Sequence, residues 1–247
     1  MIDKIKVNNI TKVFDSVIAL NNVNIQFEKG KVYALLGHNG AGKTTLIQNI
    51  LGIQKLKKTI DSGEIIYLSN EIKIRGNEYK NHLSYSPEIY SLFEDLSVME
   101  YLTFVAKVYK RPKSSEELIK KLIEYFELKG KENRFIYSLS NGMKRKVAHI
   151  AALLTESDFC FLDEPFSGLD PVSIFKLKSF LCDDIEKNRT YIISTHQLAI
   201  LESIVIPDEL MVILLMKDGK LIHQGTKKNL LESTGEESIE KAYIKLS

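Results

Sequence analysis

The segment Gly37-His38-Asn39-Gly40-Ala41-Gly42-Lys43-Thr44 fits G-x-x-x-x-G-K-[ST] without a gap, and few features constrain a chain more. It lies between an apolar run, Lys31 to Leu36, and a stretch where Leu46, Ile47, Ile50 and Leu51 recur at helical spacing. The segment therefore joins a buried strand to a helix. A loop that turns tightly and aims successive N–H groups at phosphate oxygens has no room for a Cβ, so it needs glycine. The helix that follows adds its positive N-terminal end. Lys43 is placed to reach the outer two phosphates, and the Thr44 hydroxyl to ligate Mg²⁺. A chance glycine-rich turn is the competing reading, and the flanking strand and helix count against it.

Further along, Phe159-Cys160-Phe161-Leu162 reads as a second buried strand, ending in Asp163-Glu164. Asp163 suits the carboxylate that holds Mg²⁺ through water. Glu164, one position on, suits the group that orients the attacking water. Alone, the pair could be a solvated acidic turn. A third buried strand runs from Thr190 to Ser194 and ends at His196. Strands alternating with helices, with polar residues at strand ends, indicate an α/β fold whose mostly parallel sheet carries a site along its carboxyl edge.

Around this core, Ile5 to Ile10 and Ala19 to Phe27 read as β-strands of an N-terminal antiparallel subdomain. Residues from about Glu94 to Glu127 turn helical, with Pro112 as a break and Ser114-Ser115-Glu116-Glu117 as a fresh start. Met143, Val147, Ile150, Ala151 and Leu154 mark one face of another helix. One domain over 1–247 is expected, with core and β-subdomain at about 1–87 and 159–247. A helical lobe is inserted at about 88–158. A strand from Leu221, a turn at Gly225-Thr226 and a helix holding Leu230 and Leu231 should follow. Glu236 to Lys245 should form an amphipathic helix packing Ile239, Ala242 and Ile244.

Charge bounds the partners. The 34 basic residues stand against 32 acidic ones, for a net charge of +2, so no nucleic acid is expected as partner. Cys160 and Cys182 both lie in apolar stretches and read as buried free thiols. The longest apolar run, Leu210 to Met216, falls far short of the ~20 residues of a membrane-spanning helix. The N-terminus carries no apolar stretch of signal-peptide length. A cytoplasmic chain that reaches a membrane only through a partner is the expectation.

Several further motifs stand in order. Leu139-Ser140-Asn141-Gly142-Met143 precedes Lys144-Arg145-Lys146; Ser167-Gly168-Leu169-Asp170 follows Asp163-Glu164-Pro165; Ser194-Thr195-His196 comes later. Phe14 and Tyr85-Ser86-Pro87-Glu88 precede them. The ordered set resembles the ATP-binding-cassette (ABC) ATPases, over nearly the whole chain. That resemblance implies a P-loop nucleotidase core that binds ATP and Mg²⁺ and hydrolyses ATP. Gly37, His38, Asn39, Gly40, Ala41, Gly42, Lys43, Thr44 and Thr45 would bind nucleotide, with Phe14 stacked on adenine; the plainer reading of Phe14 is a core residue of a hairpin. Thr44, Asp163 and Glu88 would serve the metal, and Glu164, His196 and Glu88 the chemistry. For His196 the plainer reading is a polar helix cap after a strand.

The same resemblance implies a head-to-tail dimer with a second ABC subunit, identical or related. Ser140, Asn141, Gly142 and Met143 of one copy would then meet the γ-phosphate held by the other, and Asp170 would relay between the sites. Its usual setting is the motor of a membrane transporter, docked on integral membrane permease subunits at the inner face of the membrane. Glu88 stands where Gln is usual, a form resembling the branch that exports drugs, antibiotics and peptides or confers immunity. Asn141 stands where Gly is usual, and Asn tolerates left-handed backbone angles better than other residues bearing a Cβ. The competing function is a soluble ABC ATPase of a non-transport assembly, in iron–sulfur biogenesis or a ribosome or nucleic-acid role.

Overall fold

The computed structural model describes residues 1–56, 61–111 and 115–246; the expected break at Pro112 and the helix start at Ser114 lie outside them. The chain opens with β1 (Lys4–Phe14), β2 (Val17–Glu28), β3 (Val32–Leu36), α1 (Lys43–Ile50), β4 (Ser62–Ser69), β5 (Ile72–Lys73) and β6 (Leu83–Ser86). Three helices follow, α2 (Val98–Val108), α3 (Ser115–Tyr125) and α4 (Asn141–Leu154). Then come β7 (Phe159–Asp163), α5 (Pro171–Ile185), β8 (Thr190–Thr195), α6 (Leu198–Glu202), β9 (Met211–Lys217), β10 (Lys220–Gly225), α7 (Lys227–Thr234) and α8 (Ile239–Leu246).

Two sheets form. The first is antiparallel with order β2-β1-β4-β5; the second has order β10-β9-β3-β8-β7-β6 and is parallel except for β10. Every residue of β3, β7 and β8 is buried, as strands covered on both faces must be. Alternation divides them between two apolar layers. Val32, Ala34 and Leu36 face the layer shared with α2 to α5, while Tyr33 and Leu35 face α1 and the antiparallel sheet. The apolar stripes of α2, α3 and α4 are continuous with the first of these layers.

Register places the site. Leu36 of β3 lies beside Thr195 of β8, and Asp163 of β7 lies beside Ser194. The glycine loop, Glu164 and His196 therefore leave the sheet at one edge, although they are far apart in sequence.

Three expectations need correction. Ile244 is 68% exposed, so α8 packs through Ile239 and Ala242 alone of the three residues named for it. Only Cys160 is fully buried, while Cys182 is half-buried on α5. Asn141 is the first residue of α4 and does not take a left-handed angle, so its tolerance for one is not used. The fold also holds β4 to β6, which short, partly polar runs had not announced.

Candidate functional site

Each wall of the cleft at the sheet edge has a local cause. Gly42 caps α1 at φ +102°, where a Cβ would sit 2.6 Å from the Ala19 carbonyl oxygen. Only glycine fits there without displacing backbone. No side chain caps this helix, so its first-turn N–H groups face the loop rather than a protein acceptor. Lys43 folds back beneath the loop, donating to the Gly37 and His38 carbonyls at 2.7 and 3.2 Å, and is only 6% exposed. Its carbonyl partners hold the ammonium under the loop.

The Thr44 hydroxyl donates to Asp163 Oδ2 at 2.8 Å. Tyr85 donates to the same oxygen at 3.2 Å, and the Ser194 hydroxyl to Oδ1. Burial, and then the neighbouring Asp163 charge, push the Tyr85 phenol well above its ordinary range, so it stays a donor. A hydroxyl and a carboxylate side by side form the hard-oxygen set that Mg²⁺ takes.

Glu164 is the strained residue. Its φ is +47°, a left-handed angle that costs a non-glycine residue about 1–3 kcal/mol. Bonds on both sides hold it there. Its N–H donates to the Ser194 carbonyl at 3.1 Å and Oγ at 3.0 Å, and its carbonyl accepts from Arg145 Nη1 at 3.0 Å. The turn aims the carboxylate into the cleft, where it is 4% exposed. His196 Nδ1 lies 2.9 Å from Oε1 and Lys43 Nζ 3.6 Å away, yet neither carboxylate oxygen has a hydrogen bond of proper geometry. Buried oxygens whose hydrogen bonds are unmet mark a place for a ligand or water.

The cleft is about 230 Å³ and is bounded by Asn39, Gly40, Gly42, Lys43, Thr44, Thr45, Glu88 and Glu164, with Ala19. Glu88 is exposed on its rim. Phe14 ends β1 at 40% exposure with Lys12 Nζ 5.2 Å from its ring centre, so it is not the core residue of the plainer reading. His196 is exposed and does not cap α6, whose cap is Gln197. Ser140 and Asn141 are also exposed, and no residue of Ser140–Met143 lines the cleft. Ser140 accepts from the Met143 N–H at 3.3 Å as the cap of α4. The Asp170 carboxylate caps α5, accepting from the Ser173 N–H at 3.0 Å, with Lys146 Nζ 3.6 Å away. The hydrogen bonds from Ser173, more than the Lys146 charge, hold its pKa at about 2.

Sequence reading missed Tyr85 as a partner of Asp163, and missed Arg145 and His149 altogether. Arg145 donates from Nη2 to the Glu88 carbonyl at 3.0 Å as well as to Glu164, and packs over the Tyr90 ring. Its signal was only a charge in a basic run. His149 stood between apolar residues of a helix face.

A glycine loop capping a helix, a hydroxyl–carboxylate pair beside it and an acidic strand end define a P-loop nucleotide-binding fold. Within that class the chain belongs to the ABC transporter family, which residues 20–167 match. It is similar to an ABC transporter ATP-binding protein of Methanocaldococcus jannaschii, 34% identical over 226 residues, covering 90% of this chain and 77% of the relative. A probable multidrug ABC transporter ATP-binding protein of Escherichia coli is 32% identical over 98% of this chain, which spans 41% of that relative's length. A solved ATP-binding subunit of an ABC transporter superimposes with a TM-score of 0.87 at 29% identity, with 98% of each chain covered. Names of importers and of exporters both occur among the relatives. Among the described residues no helix is long and apolar enough to cross a membrane.

Proposed function

We propose that the chain binds ATP in this cleft, hydrolyses it and powers a membrane transporter in the export direction. The buried carboxylate of Glu164, close to Lys43 and His196 but without a hydrogen bond of proper geometry, carries this reading, because it stands where a water facing the last phosphate would sit. The loop N–H groups and Lys43 bind and orient the phosphate chain. Thr44 and Asp163 would hold Mg²⁺, with Glu88 reaching it from the rim; when bound, the ion neutralises phosphate charge. Glu164 holds the water in line and takes its proton, while His196 fixes the carboxylate from the open side. Phe14, exposed at the end of β1, offers a face for adenine.

Ser140 to Met143 lie outside this cleft, which supports their service to the nucleotide of a second copy or a related subunit. ATP then becomes part of the interface, and hydrolysis loosens it. Asp170, fixed as a helix cap beside that surface, would relay between the two sites. The transporter reading is supported by a groove of about 170 Å³ bounded by Tyr85, Pro87, Tyr90, Leu92, Tyr101 and Ala148. Ile89, Phe93 and Phe104 stand exposed among the residues around it, at 86, 55 and 44%. A groove lined largely by tyrosines and rimmed by exposed apolar side chains fits a short cytoplasmic helix of a permease. The export direction is supported by the Pro87-Glu88 form.

The test is to purify tagged Glu164→Gln from detergent-solubilised native membranes with ATP. A membrane protein recovered in equal amount is the expected result. Recovery from the soluble fraction alone, without a membrane partner, would replace the transporter reading with a soluble ABC ATPase.

A further inference from the structure

His149 lies in the middle of α4 and is 1% exposed. Val147, Ile150 and Leu153 around it are apolar, and an apolar side chain there would avoid the cost of burying two ring nitrogens. Both nitrogens are instead engaged, and neither within the helix. Nε2 lies 2.9 Å from the Pro165 carbonyl oxygen, and Nδ1 lies 2.8 Å from the Ser86 hydroxyl. A carbonyl only accepts, so Nε2 carries the proton; in the neutral ring Nδ1 then accepts from Ser86. Burial keeps the ring neutral, lowering its pKa to about 4.

The two partners are what give the residue meaning. Ser86 ends β6 two positions before Glu88, and Pro165 directly follows Glu164. Arg145, one turn earlier on α4, spans the same two segments through the Glu88 and Glu164 carbonyls. The loop bearing Glu88 and the strand end bearing Glu164 are thus tied twice, both times through α4. That helix begins at Ser140–Met143, the residues offered to a second copy.

We infer that His149, acting with Arg145, is a positioning residue for hydrolysis: it fixes the Glu88 loop against the Glu164 turn and links both to the start of α4. The inference rests on the reading of Glu164 as the group that orients the water. Ser86, at one end of this link, is flanked by Tyr85 and Pro87, which with Tyr90 line the groove beside the helical layer, so the link joins that groove's wall to the Glu164 turn.

The test uses the purified full chain, with kcat and KM for ATP and a thermal melt for each variant. His149→Leu should melt as a folded protein, keep KM within about twofold and lose roughly tenfold in kcat, since a small displacement of a catalytic group is enough for that. His149→Gln, which keeps an N–H for Pro165, should recover to within about threefold of the parent. Ser86→Ala should lower kcat by about threefold and add nothing to His149→Leu, because the two side chains act as one unit. A kcat for His149→Leu within twofold of the parent, or full additivity with Ser86→Ala, overturns the inference. If His149→Leu fails to fold, Ser86→Ala decides alone, and an unchanged kcat overturns it. Glu164→Gln run in parallel separates the two readings. If it hydrolyses ATP at the parent rate, the role of Glu164 falls; if it is inactive while His149→Leu is normal, only the positioning role falls.

Discussion

At the scale of single residues, the chemistry depends on side chains held in costly states by their neighbours. Glu164 keeps a left-handed backbone because Ser194 grips its N–H and Arg145 its carbonyl. His149 bears a similar cost by being kept unprotonated. In an unfolded chain histidine takes up a proton near pH 6.5, whereas burial holds His149 at about 4 in the folded protein. Between those values the unfolded state binds a proton that the folded state refuses. Its contribution is therefore intact above pH 6.5 and is lost as pH falls toward 4, by up to about 3 kcal/mol. Melting curves between pH 7.5 and 4.5 should show the parent losing more stability than His149→Leu. Parallel losses in the two proteins would mean that His149 titrates normally.

At the scale of elements, the glycine loop, β7 with its two carboxylates and β8 with its histidine were legible, because each combines an apolar run with a polar end. Tertiary pairing was not. The Tyr85 bond to Asp163 and the bonds of Arg145 and His149 to the Glu88 loop join residues 78, 57 and 63 positions apart, and no local pattern records them. Ile244 misled because it is apolar; five positions after Ile239 and two after Ala242, it falls off the face they share and is open to water. The antiparallel sheet hides another such bond. Lys12, 2% exposed, pairs with Asp61 at 2.7 Å and donates to the Lys55 carbonyl at 3.0 Å, fastening β1 near the position of Phe14. Removing one partner of a buried ion pair costs about 3 kcal/mol or more. Lys12→Met should lower the melting temperature by several degrees and weaken ATP binding severalfold, read by calorimetry. A melt within one degree of the parent would show that the pair is dispensable.

At the scale of the whole molecule, the glycine loop, Lys43, Thr44 and Glu164 line one cleft, and Ser140 to Met143, proposed to serve a second copy, line none of it. The fold was legible to the level of an α/β core with an added β-sheet and helical layers. That the apolar interior runs unbroken from the sheet into α2, α3 and α4 was not, since helical periodicity shows which face is buried but not against what. On the proposed function, a site divided between two surfaces of one chain would be completed by pairing two chains, and its nucleotide would then control the pairing. The most direct measurement is the mass of Glu164→Gln by light scattering on a sizing column, with and without ATP and Mg²⁺. The account predicts the 28.2 kDa chain without nucleotide and a species of twice that mass with it, returning to monomer when Ser140→Arg blocks the second surface. A chain that binds ATP tightly and stays monomeric would contradict it.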